Sequence, residues 1–223
     1  MNLDKNKIKA VFFDFDDTLG DRDRYAYDCA RSILLENVQP VDPVEFEAIV
    51  QDWMLWDEKG NIDKNHIKDM LAKKYGIMLP YEDLNPVWDD RLWKFCVPFP
   101  DAEETLEYLC GKYKLGIITN GPSEGQRNKI AHAGLAHFFD QENIFVSGDF
   151  QFKKPDKRLF LIACEKMGVK PEESIFVGDI ISNDVLGAYR AGMIPVWIWT
   201  PGARKVTADI LVIHRISELM KLL

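Results

Sequence analysis

Several acidic residues stand together near the start of the chain, at a point where an apolar stretch ends. The apolar stretch Ile8–Phe13 is followed by Asp14, Asp16, Asp17 and Thr18. Apolar, β-rich residues over this length predict a buried strand, which would leave the acids at its carboxyl end. Like charges a few ångströms apart raise each other's pKa, and a bound cation offsets that cost. The segment therefore predicts a metal site at one edge of a sheet.

The rest of the chain contains further predicted strands that could form this sheet. Apolar runs predict buried parallel strands at Leu115–Thr119, Ile144–Ser147, Ser174–Val177 and Pro195–Trp199. Helical patterns lie around and between them at Asp101–Tyr113, Gly125–Ala133, Pro155–Met167 and Asp184–Ala191. Alternation of strand and helix predicts an α/β fold with a doubly wound, Rossmann-like parallel sheet.

One long segment has helical spacing and no strand pattern. It carries helical patterns at Arg22–Asn37, Pro43–Trp56, Lys64–Tyr75 and Tyr81–Phe95. We expect residues 20–97 to form an inserted all-helical domain and residues 1–19 and 98–223 to form the α/β core domain. Trp53, Trp56, Trp88 and Trp93 fall in the insertion, and most are expected in its core, although one or two could line a cleft.

Composition narrows the possible partners. The 223 residues are 47% hydrophobic and 29% charged, with a formal net charge of −8. This is typical of a globular protein and argues against sequence-independent binding to a nucleic acid polymer. No apolar run is long enough to span a membrane, and neither the four cysteines nor the four histidines have metal-ligand spacing. We expect a cytoplasmic protein with reduced thiols and no membrane partner.

Polar residues follow the other predicted strands as well. They are Thr119-Asn120-Gly121, Lys154-Pro155, and Gly178-Asp179 with Asn183 and Asp184 shortly after. Because ligands of open α/β sheets bind outside the carboxyl ends of the strands, these residues should share one site. Carboxylate oxygens suit Mg²⁺, while a lysine and a threonine suit a phosphate. A carboxylate beside a bound phosphate can attack it, and a second carboxylate can carry the proton.

The order of these segments resembles the four motifs of the haloacid dehalogenase-like hydrolase superfamily, in its phosphatase branch. The matching segments are Asp14-Phe15-Asp16-Asp17-Thr18, Gly116–Thr119 with Asn120-Gly121, Lys154-Pro155, and Gly178-Asp179 through Asp184. The resemblance covers residues 8 to about 200. The helical insertion resembles the type 1 cap of that family.

The resemblance implies a role for each matching residue. Asp14 would be the nucleophile and a metal ligand, and Asp16 the general acid/base, with its backbone carbonyl on the metal. Thr119, Asn120 and Gly121 would bind the phosphoryl group. Lys154, which directly precedes proline, would orient Asp14, whereas Lys153 would face solvent. Asp179 would bind Mg²⁺. Asp184 would bind it too, directly or through water, or would serve as the N-cap of the next helix, and both roles can hold. Asp17 and Thr18 would brace the loop.

The expected activity is Mg²⁺-dependent hydrolysis of a small phosphomonoester through an aspartyl-phosphate. The partner would be a nucleoside monophosphate or a sugar phosphate, and the oligomeric state, monomer or homodimer, stays open. Aromatic residues such as Tyr25 and Tyr27 could stack on a base or pack the insertion. A phosphomutase, for which Arg22 and Arg24 could hold a second phosphate, is an alternative.

Two other classes of protein with a similar parallel sheet remain as alternatives. A phospho-accepting receiver domain would be about half this length and would lack an inserted domain. A dehalogenase would need neither a metal nor a carboxylate at Asp16. Asp16, as a base that discharges a phosphoaspartate, favours the hydrolase over both.

Overall fold

The computed structural model describes residues 3–38, 42–199 and 206–223. In chain order its main elements are β1 (Ala10–Phe13), α1 (Arg22–Asn37), α2 (Pro43–Asp57), α3 (Lys64–Tyr75), α4 (Asn85–Leu92), α5 (Ala102–Leu109), β2 (Lys114–Thr119), α6 (Ser123–His132), β3 (Ile144–Val146), α7 (Lys157–Lys166), β4 (Ser174–Gly178), α8 (Leu186–Ala191), β5 (Ile194–Ile198), β6 (Leu211–Ile213) and α9 (Leu219–Leu222). The chain divides into two units, Met1–Asp21 with Pro98–Leu223, and Arg22–Val97.

The first unit contains a six-stranded parallel sheet, which confirms the predicted α/β class. The strand order is β3-β2-β1-β4-β5-β6. Phe13 of β1 lies beside Ile117 of β2 on one side and Val177 of β4 on the other. The chain therefore runs outward from β1 in one direction through β2 and β3, and in the other through β4, β5 and β6. This reversal creates a topological switch point beside β1, where open α/β sheets bind ligands.

Packing explains why the strands are apolar throughout. All four residues of β1 and all five of β4 are buried. On one face, Phe160 of α7 contacts Phe176 of β4 edge to face, with ring centroids 5.0 Å apart. Strands covered on both faces have no polar alternation, which is the pattern that predicted them.

Several predicted element bounds differ from the observed ones, and three of these differences have a clear local reason. The helix predicted at Tyr81–Phe95 begins only at Asn85, whose backbone N–H is capped by Asp83. The helix predicted at Asp101–Tyr113 ends at Leu109, because the chain turns through Gly111 with φ +83°. α7 starts at Lys157, two residues later than predicted, because Asp156 caps its first turn. β6 was not predicted, and unlike the equally short β3 it is only partly buried.

The second unit is helical. Asp42 caps the start of α2 and Asp63 the start of α3, as their side chains accept backbone N–H groups of the first turn. Trp53 is fully buried and stacks on Trp88, with ring centroids 5.7 Å apart. These two tryptophans therefore belong to the core of this unit. Across the described residues no helix is both long and apolar enough to cross a membrane, and the cytoplasmic location stays a prediction.

Candidate active site

The residues predicted to do chemistry lie at the carboxyl ends of three adjacent strands. Asp14 follows β1, Thr119 ends β2 and Asp179 follows β4. Because β1 is the middle strand of the three, Asp14 lies at the switch point with the other two on either side. The backbone N–H of Asp14 donates to the carbonyl of Val177 at 2.8 Å, which continues the ladder one residue beyond the strand. The sheet thus fixes the position of the Asp14 backbone.

A tight turn follows Asp14 and sets the direction of the next acids. The carbonyl of Phe15 accepts from the backbone N–H groups of Leu19 and Gly20 at 3.0 and 2.8 Å. Asp17 has φ +56°, a conformation that aspartate tolerates better than most residues. Asp17 and Thr18 are buried within this turn. The buried Thr18 Oγ1 has no hydrogen-bond partner among the described residues, so the expectation that this hydroxyl braces the loop by hydrogen bonding is not met.

Three carboxylates and one ammonium form a buried cluster at this edge. The carboxylates of Asp14, Asp179 and Asp184, hereafter the carboxylate cluster, place ligand oxygens within 4.8 Å of one another. The Lys154 ammonium lies 2.7 Å from Asp14 Oδ1 and 2.7 Å from Asp184 Oδ1. Lys154 is only 2% exposed, whereas its neighbour Lys153 is exposed. The choice of Lys154 over Lys153 therefore agrees with the geometry.

The charges of the carboxylate cluster do not balance. Together with Lys154, the three carboxylates carry a formal charge of −2 when ionised. Burial raises the pKa of Asp14 to about 7, because the attraction of Lys154 is offset by repulsion from Asp184 and Asp16. The two carboxylates in turn raise the pKa of Lys154, so this lysine stays protonated. A buried site of hard oxygen ligands with two excess negative charges fits one Mg²⁺ ion.

Asp184 is held more firmly than its position in the sequence suggests. It lies inside a wide helical turn, Ile181–Val185, that precedes α8. Its Oδ2 accepts the backbone N–H of Ile180 at 2.9 Å, and its side chain lies where a Cβ on Gly178 would come within 2.5 Å. Of the two roles left open for Asp184, the helix N-cap is not observed, because its carboxylate turns back toward the strand end and Lys154.

The segment after β2 joins the residues that were predicted to bind phosphate to Lys154. Asn120 Oδ1 accepts the backbone N–H of Lys154 at 2.9 Å, and Asn120 Nδ2 donates to the Lys154 carbonyl at 3.2 Å. The Gly121 N–H donates to Ser147 Oγ at 3.0 Å, and its φ of +143° requires glycine. One amide side chain therefore joins the loops that carry Thr119 and Lys154.

Two residues of α6 also reach this site and were not predicted. Lys129 Nζ lies 3.0 Å from both carboxylate oxygens of Asp16, and Gln126 Nε2 donates to Asp16 Oδ2 at 2.9 Å. The same Gln126 Nε2 lies 3.1 Å from Thr119 Oγ1. Gln126 and Lys129 are three residues apart, so they share one face of α6. The sequence offered only the spacing of a glutamine and a lysine shortly after Thr119-Asn120-Gly121, and their burial is known from the structure alone.

The helical unit contains a buried charged group of its own. Asp57 is fully buried and lies 2.7 Å from Arg22 Nη2 and 2.6 Å from Lys64 Nζ. Its Oδ2 also accepts the Gly60 backbone N–H at 2.8 Å. Arg22 is thus already ion-paired, which weakens the idea that it holds a second phosphate as in a mutase.

Comparison with known proteins settles the family. The model of the haloacid dehalogenase-like hydrolases matches residues 8–192. The chain belongs to this family. It is 33% identical to a glyceraldehyde 3-phosphate phosphatase of Methanothermobacter thermautotrophicus, over 97% of this chain and 100% of that protein. It is 28% identical to the pyrimidine 5'-nucleotidase YjjG of Escherichia coli, over 84% of each.

A solved structure of the same family supports the fold. The HAD phosphatase from Thermococcus onnurineus superimposes with a TM-score of 0.66 at 30% identity, covering 96% of this chain and 97% of that one. The present chain is thus a HAD-like hydrolase that acts on phosphate esters, as its phosphatase relatives indicate.

Proposed function

We propose that this HAD-like hydrolase cleaves small phosphomonoesters through a covalent intermediate on Asp14, with Mg²⁺ held by the carboxylate cluster. The observation that carries the proposal is the buried contact of Lys154 with both Asp14 and Asp184. This arrangement orients a carboxylate nucleophile and leaves negative charge for a divalent cation to balance. Bound Mg²⁺ would neutralise charge on the phosphoryl oxygens.

The first step transfers the phosphoryl group to the protein. An ionised oxygen of Asp14 forms a bond to phosphorus while the bond from phosphorus to the ester oxygen breaks. Asp16 gives its proton to the departing oxygen, which leaves as an alcohol. Thr119, Asn120 and Gly121 bind the phosphoryl oxygens, and Lys154 holds Asp14 in line with the phosphorus.

The second step releases phosphate. Asp16, now ionised, takes a proton from water as the water oxygen bonds to phosphorus, and the bond between phosphorus and Asp14 breaks. Asp14 returns as a carboxylate and inorganic phosphate leaves. Asp16 ends the cycle protonated, so one side chain serves both half-reactions.

We further propose that the helical unit Arg22–Val97 acts as a cap that selects the substrate. A lid of this kind favours small molecules over protein substrates. The relative from Methanothermobacter thermautotrophicus supports a phosphorylated short sugar as the first substrate class to test. The Escherichia coli relative supports pyrimidine nucleoside monophosphates as the second.

The test is phosphate release from a panel of both substrate classes, in the presence of Mg²⁺ or of excess chelator. We expect release that requires Mg²⁺ and that is lost in Asp14→Asn, a variant of nearly equal volume. Trapping the acid-stable aspartyl-phosphate with a reducing agent would locate the intermediate on Asp14. Release by Asp14→Asn at the wild-type rate, or release that is unaffected by chelator, would refute the proposal.

A further inference from the structure

The proposed proton carrier Asp16 lies against a helix that carries none of the family motifs. We propose that Lys129 and Gln126 of α6 are positioning residues, which hold the Asp16 carboxylate in the geometry that proton transfer needs. The inference rests on the proposed function, because it assigns Asp16 the acid/base role. It assigns Gln126 and Lys129 a role in the proposed reaction, namely the orientation of Asp16.

The contacts fix the carboxylate in more than one direction. The Lys129 ammonium is equidistant from the two Asp16 oxygens, at 3.0 Å from each. Gln126 Nε2 approaches Oδ2 separately at 2.9 Å. A carboxylate with both oxygens engaged from one side cannot rotate about its terminal torsion without losing these bonds. The pair thus selects one orientation of a side chain that is 21% exposed.

Burial shows that this arrangement is built into the fold. Lys129 is 8% exposed and Gln126 is 3% exposed. Buried lysines are rare unless they are paired, because removing an ammonium from water is costly. A surface ion pair would not require such burial. The α6 helix therefore directs a buried cation and a buried amide toward Asp16.

Gln126 also links the proton carrier to the phosphate-binding segment. Its Nε2 lies 3.1 Å from Thr119 Oγ1 and 2.5 Å from the Asn120 carbonyl. A Cβ on Gly121 would come within 2.9 Å of the same nitrogen, so the loop closes directly around this side chain. One amide thereby sets the distance between Asp16 and the residues proposed to bind the phosphoryl group.

The dependence of the hydrolysis rate on the leaving group shows whether Gln126 and Lys129 position Asp16 or only stabilise the fold. Phenyl phosphate and p-nitrophenyl phosphate have similar size, but the nitrophenolate leaves with little help from an acid. A misplaced Asp16 should slow the hydrolysis of phenyl phosphate more than that of p-nitrophenyl phosphate. Loss of folded protein would slow the hydrolysis of both esters equally. General acid catalysis contributes about 10²- to 10⁴-fold, so a displaced acid should change the ratio by about tenfold or more.

The experiment measures kcat/KM for both esters with Mg²⁺ in six proteins: wild type, Asp16→Asn, Lys129→Met, Lys129→Arg, Gln126→Met and Lys166→Met. Lys166 is exposed at the end of α7 and provides the matched control. We expect Lys129→Met and Gln126→Met to raise the p-nitrophenyl to phenyl ratio as Asp16→Asn does, with no change in Lys166→Met. We also expect Lys129→Arg, which keeps the charge, to restore part of the wild-type ratio.

The outcomes distinguish the two proposals. If wild type cleaves both esters and Asp16→Asn changes the ratio while both α6 variants keep it, the positioning role is refuted and the proposed function stands. If Asp16→Asn leaves the ratio unchanged, the acid/base role of Asp16 fails and the positioning role fails with it, while phosphate release from the metabolite panel tests the hydrolase activity separately. Circular dichroism of each variant identifies any that do not fold, and the α6 variant that folds then carries the comparison with Asp16→Asn.

Discussion

Replacing Lys154 with methionine tests the charge arrangement on which the site depends. Methionine keeps a flexible side chain of similar length and removes the ammonium. In the wild type this ammonium lies 2.7 Å from an oxygen of Asp14 and 2.7 Å from an oxygen of Asp184. The variant therefore leaves both buried carboxylates without the cation that contacts them.

The size of the effect follows from burial. Asp14 is 6% exposed and Asp184 is fully buried, so neither carboxylate can recover its hydration without local opening. Removing one partner of a buried ion pair costs about 3–5 kcal/mol. The two contacts share one ammonium and are not additive, so we expect a total loss of about 3–5 kcal/mol in unfolding free energy without metal. Loss of a preorganised cation should also lower kcat about 10²- to 10³-fold.

Lys153→Met provides the control, since this exposed lysine is the immediate neighbour of Lys154. Urea unfolding followed by circular dichroism, in excess chelator, gives the free energy for wild type and both variants. The control should stay within about 0.5 kcal/mol of wild type and keep its activity. A loss below about 1 kcal/mol in Lys154→Met, or equal losses in the two variants, would refute the reasoning. Added Mg²⁺ should recover part of the stability of Lys154→Met, because it supplies positive charge at the same place.

Three further predictions concern charge and packing at single residues. Burial raises the pKa of Asp57, but its ion pairs with Arg22 and Lys64 outweigh burial and lower that pKa below 3.8. Asp57→Asn should therefore cost about 3–5 kcal/mol at pH 7, and urea unfolding should show the difference shrinking as pH falls below about 4. Because the pKa of Asp14 rises from 3.8 to about 7, the metal-free protein should lose stability as pH rises across that interval. Mg²⁺ affinity, measured by calorimetry, should in turn weaken up to about tenfold per pH unit below 7, and constant affinity would contradict this competition with the proton. Gly178→Ala should weaken Mg²⁺ binding and cost about 1–3 kcal/mol, since the new Cβ would meet the Asp184 side chain; an unchanged Kd would show that the carboxylate can shift freely.

The sheet was predictable because burial and topology leave a simple pattern. Strands covered on both faces are apolar throughout, and β1, β2 and β4 were each found to within two residues. Parallel strands then bring their carboxyl ends to one edge, so Asp14, Thr119 and Asp179 could be grouped without coordinates. β6 could not be found in this way, since three residues with one exposed member resemble any short apolar run.

Residues that follow a strand directly could be assigned to the site from the strand pattern, whereas Lys154 and Asp184 were assigned from the resemblance to the family motifs. Asp184 lies six residues after Gly178 and returns to the strand end through a wide turn that has no sequence pattern of its own. Gln126 and Lys129 come from a helix rather than a strand end, and polar helix residues usually face solvent. Their burial depends on how α6 packs beside Asp16, which is a tertiary property.

Charge balance shows how two aspartates on one short loop can have different functions. Asp14 shares Lys154 with the carboxylate cluster, where excess negative charge favours a divalent cation and keeps Asp14 beside it. Asp16 lies two residues further on and has the Lys129 ammonium against both of its oxygens, in a partly exposed position. A cation bound at the cluster would therefore act mainly on Asp14. Asp16 keeps a separate cationic partner and access to protons, and under the proposed function this difference in environment would let one carboxylate attack while the other transfers protons.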